Sequence, residues 1–273
     1  MKNLDLPKTN NIVLWDNIVN KKNLLTRAKI KGYREQVIER YNFYETHYES
    51  LDCISPLSES VWSGIKEELI SLFGNNVSLK EVKRDLLNVA KCPYCTLNRP
   101  NTLDHYFDKS SYPEYSVFVP NLVPCCSECN SIKGISVFND KNHRQFIHFY
   151  LDILPAYQYL FVRFKMQPNE KIPTIKIWLQ FNEGEVLKEQ IEEHFEKINL
   201  INKFKDAITE KISTVINAFN REYRQGNTVE NIRHVLETCY LSYVDTYGHN
   251  FWEACMYEGI LHSEGFVEAF FEG

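Results

Sequence analysis

Two Cys-x-x-Cys pairs, Cys92-Pro-Tyr-Cys95 and Cys126-Ser-Glu-Cys129, constrain this chain more than any other feature. A two-residue gap lets two thiolates reach one ion, and two such gaps complete a tetrahedral, closed zinc site. Cys125 stands beside Cys126 and competes for its place, although the matching gap favours Cys126. Four cysteine ligands leave no open coordination position, so this zinc is structural. Its binding is worth on the order of 10–16 kcal/mol in small modules, against about 5–15 kcal/mol for the stability of a whole domain. The metal therefore decides whether the segment folds.

Five of the eight cysteines fall within residues 91 to 134, and the rest are scattered. A secreted disulfide framework would be smaller and more evenly spaced, so a reducing, cytoplasmic setting is expected. The N-terminus lacks the apolar core of a signal peptide, and no apolar run reaches membrane-spanning length. A hydrophobic content of 44% excludes disorder. The net charge of −5 argues against a protein that coats nucleic acid nonspecifically, so any such contact must be local or shared with a partner.

At 273 residues the chain is long for one domain. Three regions are expected: an N-terminal helical region over 1–90, a zinc-bearing core over 91–140, and a hairpin and helical region over 141–273. Ile38, Tyr41, Tyr44 and Tyr48 recur at helical spacing and read as core. A helix is predicted over Ser58 to Phe73. Another starts at Ser78, with Glu81 completing a capping box, and ends near Ala90. "YLFVRFKM" and "TIKIWLQF" alternate as two strands joined by "QPNEKIP". A helical tract follows from Leu187 to Tyr223, broken near Asn199, and Thr228 caps a last helix. The fold class is α+β, mainly helical. The basic run from Lys21 to Arg34 reads more readily as a solvated face than as a DNA-binding stripe. His143 and His148 have the wrong spacing for ligands on one helical face, and no role is assigned to them.

Between the cysteine pairs lie Asp104-His105 and Asn121-Leu122, and the second pair runs on into Asn130 and Lys133. Asp and Asn offer hard oxygen ligands suited to magnesium or manganese, and a neutral histidine can take a proton from water. A regular strand would send Asp104 and His105 to opposite faces, so both reach one phosphate only if the strand ends or distorts there. The ordered set, over residues 91 to 134, resembles the HNH (ββα-metal) endonucleases in their zinc-stapled form.

That resemblance implies a ββα-metal core and hydrolysis of DNA phosphodiester bonds, with the same chemistry open to RNA. It implies His105 as general base, Asp104 and Asn130 as ligands of a catalytic Mg2+ or Mn2+, and Asn121 as the residue that fixes the histidine loop. Lys109 and Lys133 stand where phosphate contacts are expected, although many relatives have Pro-Lys where this chain has Asp108-Lys109. The stretch also looks like HNH proteins of bacterial antiphage systems, including Septu-type nuclease subunits, which implies an ATPase partner. The competing reading is a zinc-stabilised binding module without cleavage, which needs none of Asp104, His105 or Asn130.

Overall fold

Helix-forming stretches dominate the chain and two small antiparallel sheets interrupt them, making the computed structural model a mainly helical α+β protein. The described residues are 1–74, 76–166 and 173–269. They form two compact units, Asn3–Ile153 and Leu154–Gly273 with Met1–Lys2.

In the first unit, α1 (Asn11–Asn20) and α2 (Leu24–Lys31) begin at Asn10 and Asn23, whose side chains accept from Val13 N and Thr26 N. Next, α3 (Arg34–Thr46) buries Val37, Tyr41 and Tyr44. The Tyr41 ring lies 4.3 Å from that of Phe118, and Tyr44 meets Tyr115 edge-on at 5.0 Å. Arg40 Nε donates to Glu114 Oε1 at 2.8 Å in a buried ion pair. Aromatic packing of this kind joins the expected 1–90 and 91–140 regions into one body. The unit runs on to Ile153 because Phe146, Ile147, His148 and Phe149 are also buried.

The predicted helix over Ser58 to Phe73 is cut short. Glu59 to Ile65 form turns, with Gly64 at a φ of 74°, and α4 covers only Lys66–Ile70 before a 3-10 turn at Ser71–Phe73. Asn76, not Ser78, caps α5 (Val77–Leu86), accepting from Ser78 N. The first sheet pairs β1 (Thr102–His105) with β2 (Leu122–Cys125), Thr102 opposite Cys125 and His105 opposite Leu122. It leads directly into α6 (Ser127–Lys133).

In the second unit, β3 (Leu160–Lys165) pairs antiparallel with β4 (Thr174–Leu179). Most of the turn expected between them lies outside the described residues. The helices α7 (Lys188–Ile198) and α8 (Leu200–Arg224) meet at Asn199, whose left-handed backbone makes the break expected there. Thr228 caps α9 (Val229–Tyr247), accepting from Asn231 N. That helix is not the last: α10 (Trp252–His262) and α11 (Phe266–Ala269) follow. Trp252 to Ile260 are all buried, so α10 has no polar face to give it a readable period. A Cβ at Gly259 would sit 2.6 Å from the Val162 carbonyl oxygen, so only glycine permits this approach of α10 to β3. Among the described residues no helix is long and apolar enough to cross a membrane.

Candidate functional site

The four cysteines come together as a buried cluster, their Sγ atoms all within 4.8 Å of one another. Cys92 and Cys95 sit on the loop after α5, Cys126 at the N-cap of α6 and Cys129 on its first turn. Cys125 points elsewhere: it belongs to β2, and burial pushes its thiol up. The loop is closed by Cys92 N donating to Asn98 O at 2.7 Å and Thr96 N to Cys92 O at 2.7 Å. Cys126 N donates to Cys92 Sγ at 3.3 Å. Asn101 caps α6, accepting from Ser127 N at 2.8 Å. None of the four thiols is in a disulfide. Hydrogen bonding among the thiols holds Cys126 down, lowers Cys95 to about 7 and pushes Cys92 and Cys129 up, so thiolates form at the expense of their neighbours. A dication removes that conflict, and a soft four-sulfur set at this spacing fits structural zinc.

β1 stays in register through His105, so alternation sends Asp104 and His105 to opposite faces. His105 is half-buried at the strand end, where Nε2–H donates to Ser116 O at 2.9 Å. A carbonyl can only accept, which fixes the proton on Nε2 and leaves Nδ1 with a free lone pair. The ring stands edge-on to Phe73 at 4.4 Å. Burial holds the imidazole down to about 4, against the pull of the Ser116 carbonyl, and the positive charges of Lys109, Lys133 and Lys83 push the same way as burial. His105 is therefore neutral at pH 7.

Asn121 brackets the residue two past His105: its Oδ1 accepts from Phe107 N at 2.8 Å and its Nδ2 donates to Phe107 O at 2.9 Å. This ties the chain leaving β1 to the start of β2. Asn130 is half-buried on α6; its backbone N–H donates to Cys126 O at 3.0 Å, and its side-chain amide has no hydrogen-bond partner among the described residues.

Asp104 and Lys133 depart from their expected roles. Asp104 is only 2% exposed and accepts from Tyr94 OH at 2.7 Å and Lys133 Nζ at 3.1 Å. Burial pushes its carboxyl up, while Lys133 and Tyr94 pull it back. The Lys133 ammonium is itself buried and also donates to His105 O at 3.1 Å. It is the counter-ion of a buried carboxylate, not an exposed phosphate contact. As the residues stand, an ammonium fills the place of a hard cation at Asp104, and the Mg2+ or Mn2+ site does not fit.

Sequence reasoning passed over Lys83 and Phe73. Lys83 Nζ lies 3.6 Å above the Phe73 ring and Lys109 Nζ 5.5 Å from it, on the ring that also carries His105. No local spacing links positions 73, 83, 105 and 109. The basic run from Lys21 to Arg34 is largely spoken for: Arg34 pairs with Asp16, Lys29 with Glu68, Lys22 with Ser71 and Arg27 with the Asn20 carbonyl.

No protein-family model matches the chain, and no solved structure gives a significant match. It is 26% identical over 237 residues to Protein ea31 of Escherichia phage lambda, with 80% of each chain covered.

Proposed function

We propose that this protein is an HNH-type endonuclease that hydrolyses DNA phosphodiester bonds, with His105 as general base. The observation that supports it best is the pinned imidazole. Ser116 O holds Nε2–H, so Nδ1 keeps its lone pair, and Lys83 and Lys109 lie over the same Phe73 ring on which the imidazole packs. A fixed acceptor can take a proton from water, and nearby ammonium groups favour a bound phosphate. Asn121 steadies the backbone that presents the ring, and the cysteine cage anchors α6, which follows β2 directly.

The burial of Asp104 favours a second reading, a zinc-stabilised binding module without cleavage. Purified full-length protein incubated with supercoiled plasmid and with RNA, in magnesium, manganese or EDTA, separates the two. Plasmid nicking sustained over many turnovers is the expected result. Intact plasmid in every metal would leave the binding module, and breakdown of RNA alone would replace DNA as the substrate.

A further inference from the structure

The overall charge of −5 makes any concentration of cations informative. One lies between the C-terminal half of α5 and the turn at Arg99-Pro100, where Lys80, Lys83, Arg84 and Arg99 line an open groove with Asp85 as its acidic member. Lys80 and Arg99 are exposed and make no ion pair among the described residues. Lys83 and Arg84 could be explained as complements to the C-terminal end of α5, and both are engaged: Lys83 Nζ donates to the Phe73 carbonyl and Arg84 pairs with Asp85 at 3.3 Å. That explanation fails for Lys80 at mid-helix and for Arg99, which comes from the cysteine loop.

Lys80 and Arg84 are one helical turn apart, about 6 Å along the axis. That is close to the separation of neighbouring phosphates along one DNA strand, so the two side chains can face adjacent phosphates. Lys83 carries the groove to the Phe73 ring, and His105 packs on the same ring. At the other end, Cys92 N bonds Asn98 O and Asn98 Nδ2 reaches Cys126 Sγ at 3.9 Å, so the cage holds the residue before Arg99.

We propose that this α5–Arg99 groove seats the phosphodiester backbone of DNA beside the phosphate that His105 attends. The proposal rests on the nuclease reading for its direction toward His105, and on charge and geometry for the groove itself. It adds Lys80 and Arg99 as backbone contacts that position the strand without touching the reacting atoms.

The test is fluorescence anisotropy of a labelled DNA duplex with full-length His105→Ala protein, from about 50 to about 200 mM KCl. Adding Lys80→Glu and Arg99→Glu should weaken binding at least about tenfold and flatten the log–log salt slope by about two. Adding Lys21→Glu and Lys31→Glu, which changes the net charge equally, should shift affinity less than about twofold. Lys80→Gln with Arg99→Gln, matched to the parent in melting temperature and zinc content, guards against misfolding of the reversal variant. An unchanged affinity in the groove variants, an equal loss in the Lys21 and Lys31 control, no duplex binding by the parent, or binding of RNA alone would each overturn the proposal. Plasmid nicking by the groove variants in a His105 background separates the two ideas. Groove-dependent binding by the His105→Ala protein without nicking by the wild type leaves the groove and removes the nuclease. Nicking with groove-independent binding does the reverse.

Discussion

Asp104 and His105 are neighbours in sequence with opposite surroundings. His105 faces a carbonyl and a phenyl edge, with its Nδ1 lone pair free, whereas Asp104 is held by a tyrosine hydroxyl and an ammonium. A buried charge stripped of its partner is destabilising by about 3–5 kcal/mol, more than the pair itself contributes. Lys133→Met should therefore lower the free energy of urea unfolding by about that amount, and adding Asp104→Asn should restore much of it. A loss below about 1 kcal/mol would mean that Asp104 does not depend on Lys133 for its charge. The alternation of a regular strand already anticipated opposite faces for the two residues. The occupant of Asp104 could not be read, because Lys133 is 29 positions away and looks like any helix-end lysine.

At the scale of elements, the cysteine spacing carried most of the legible information. Two identical gaps placed four sulfurs within one ion's reach, and the structure selects Cys126 over Cys125 because β2 ends at Cys125 and turns into α6. Thr228 and the break at Asn199 were also readable, since an N-cap and a left-handed residue act locally. Ser78 misled because Asn76, two residues earlier, is an equally good cap and won. α10 was invisible for the opposite reason, being buried on every side. The cage supports a direct test: the wild-type chain should hold one zinc by elemental analysis, and Cys129→Ser should lose it with a lower melting temperature. Zinc-free protein that melts at the wild-type temperature would contradict a structural metal.

At the scale of the molecule, the first unit is held by an aromatic core that includes a titratable group. His148 is fully buried among Tyr44, Tyr106 and Tyr150, and Tyr44 OH lies 3.1 Å from its Nε2. Burial holds it down to about 3 from an ordinary 6.5; Asp152 pulls it up and Arg144 pushes it down. The unfolded chain thus binds the proton more readily, so the contribution to stability is complete above pH 6.5 and is lost as pH falls toward 3. The slope is about 1.4 kcal/mol per pH unit for one such group. His105, held down to about 4, adds to the loss with the same sign. The urea midpoint should fall steadily from pH 6.5 to pH 4.5, and less steeply in His148→Gln; parallel curves for the two proteins would contradict this placement of His148. Function at this scale turns on whether the pinned imidazole reacts. The most direct measurement is the rate of plasmid nicking by full-length His105→Ala beside wild type, at equal zinc content and melting temperature. The expected result is a loss of about 10²–10⁴-fold with the fold unchanged; nicking at the wild-type rate would remove His105 as the base and with it the assignment of this site.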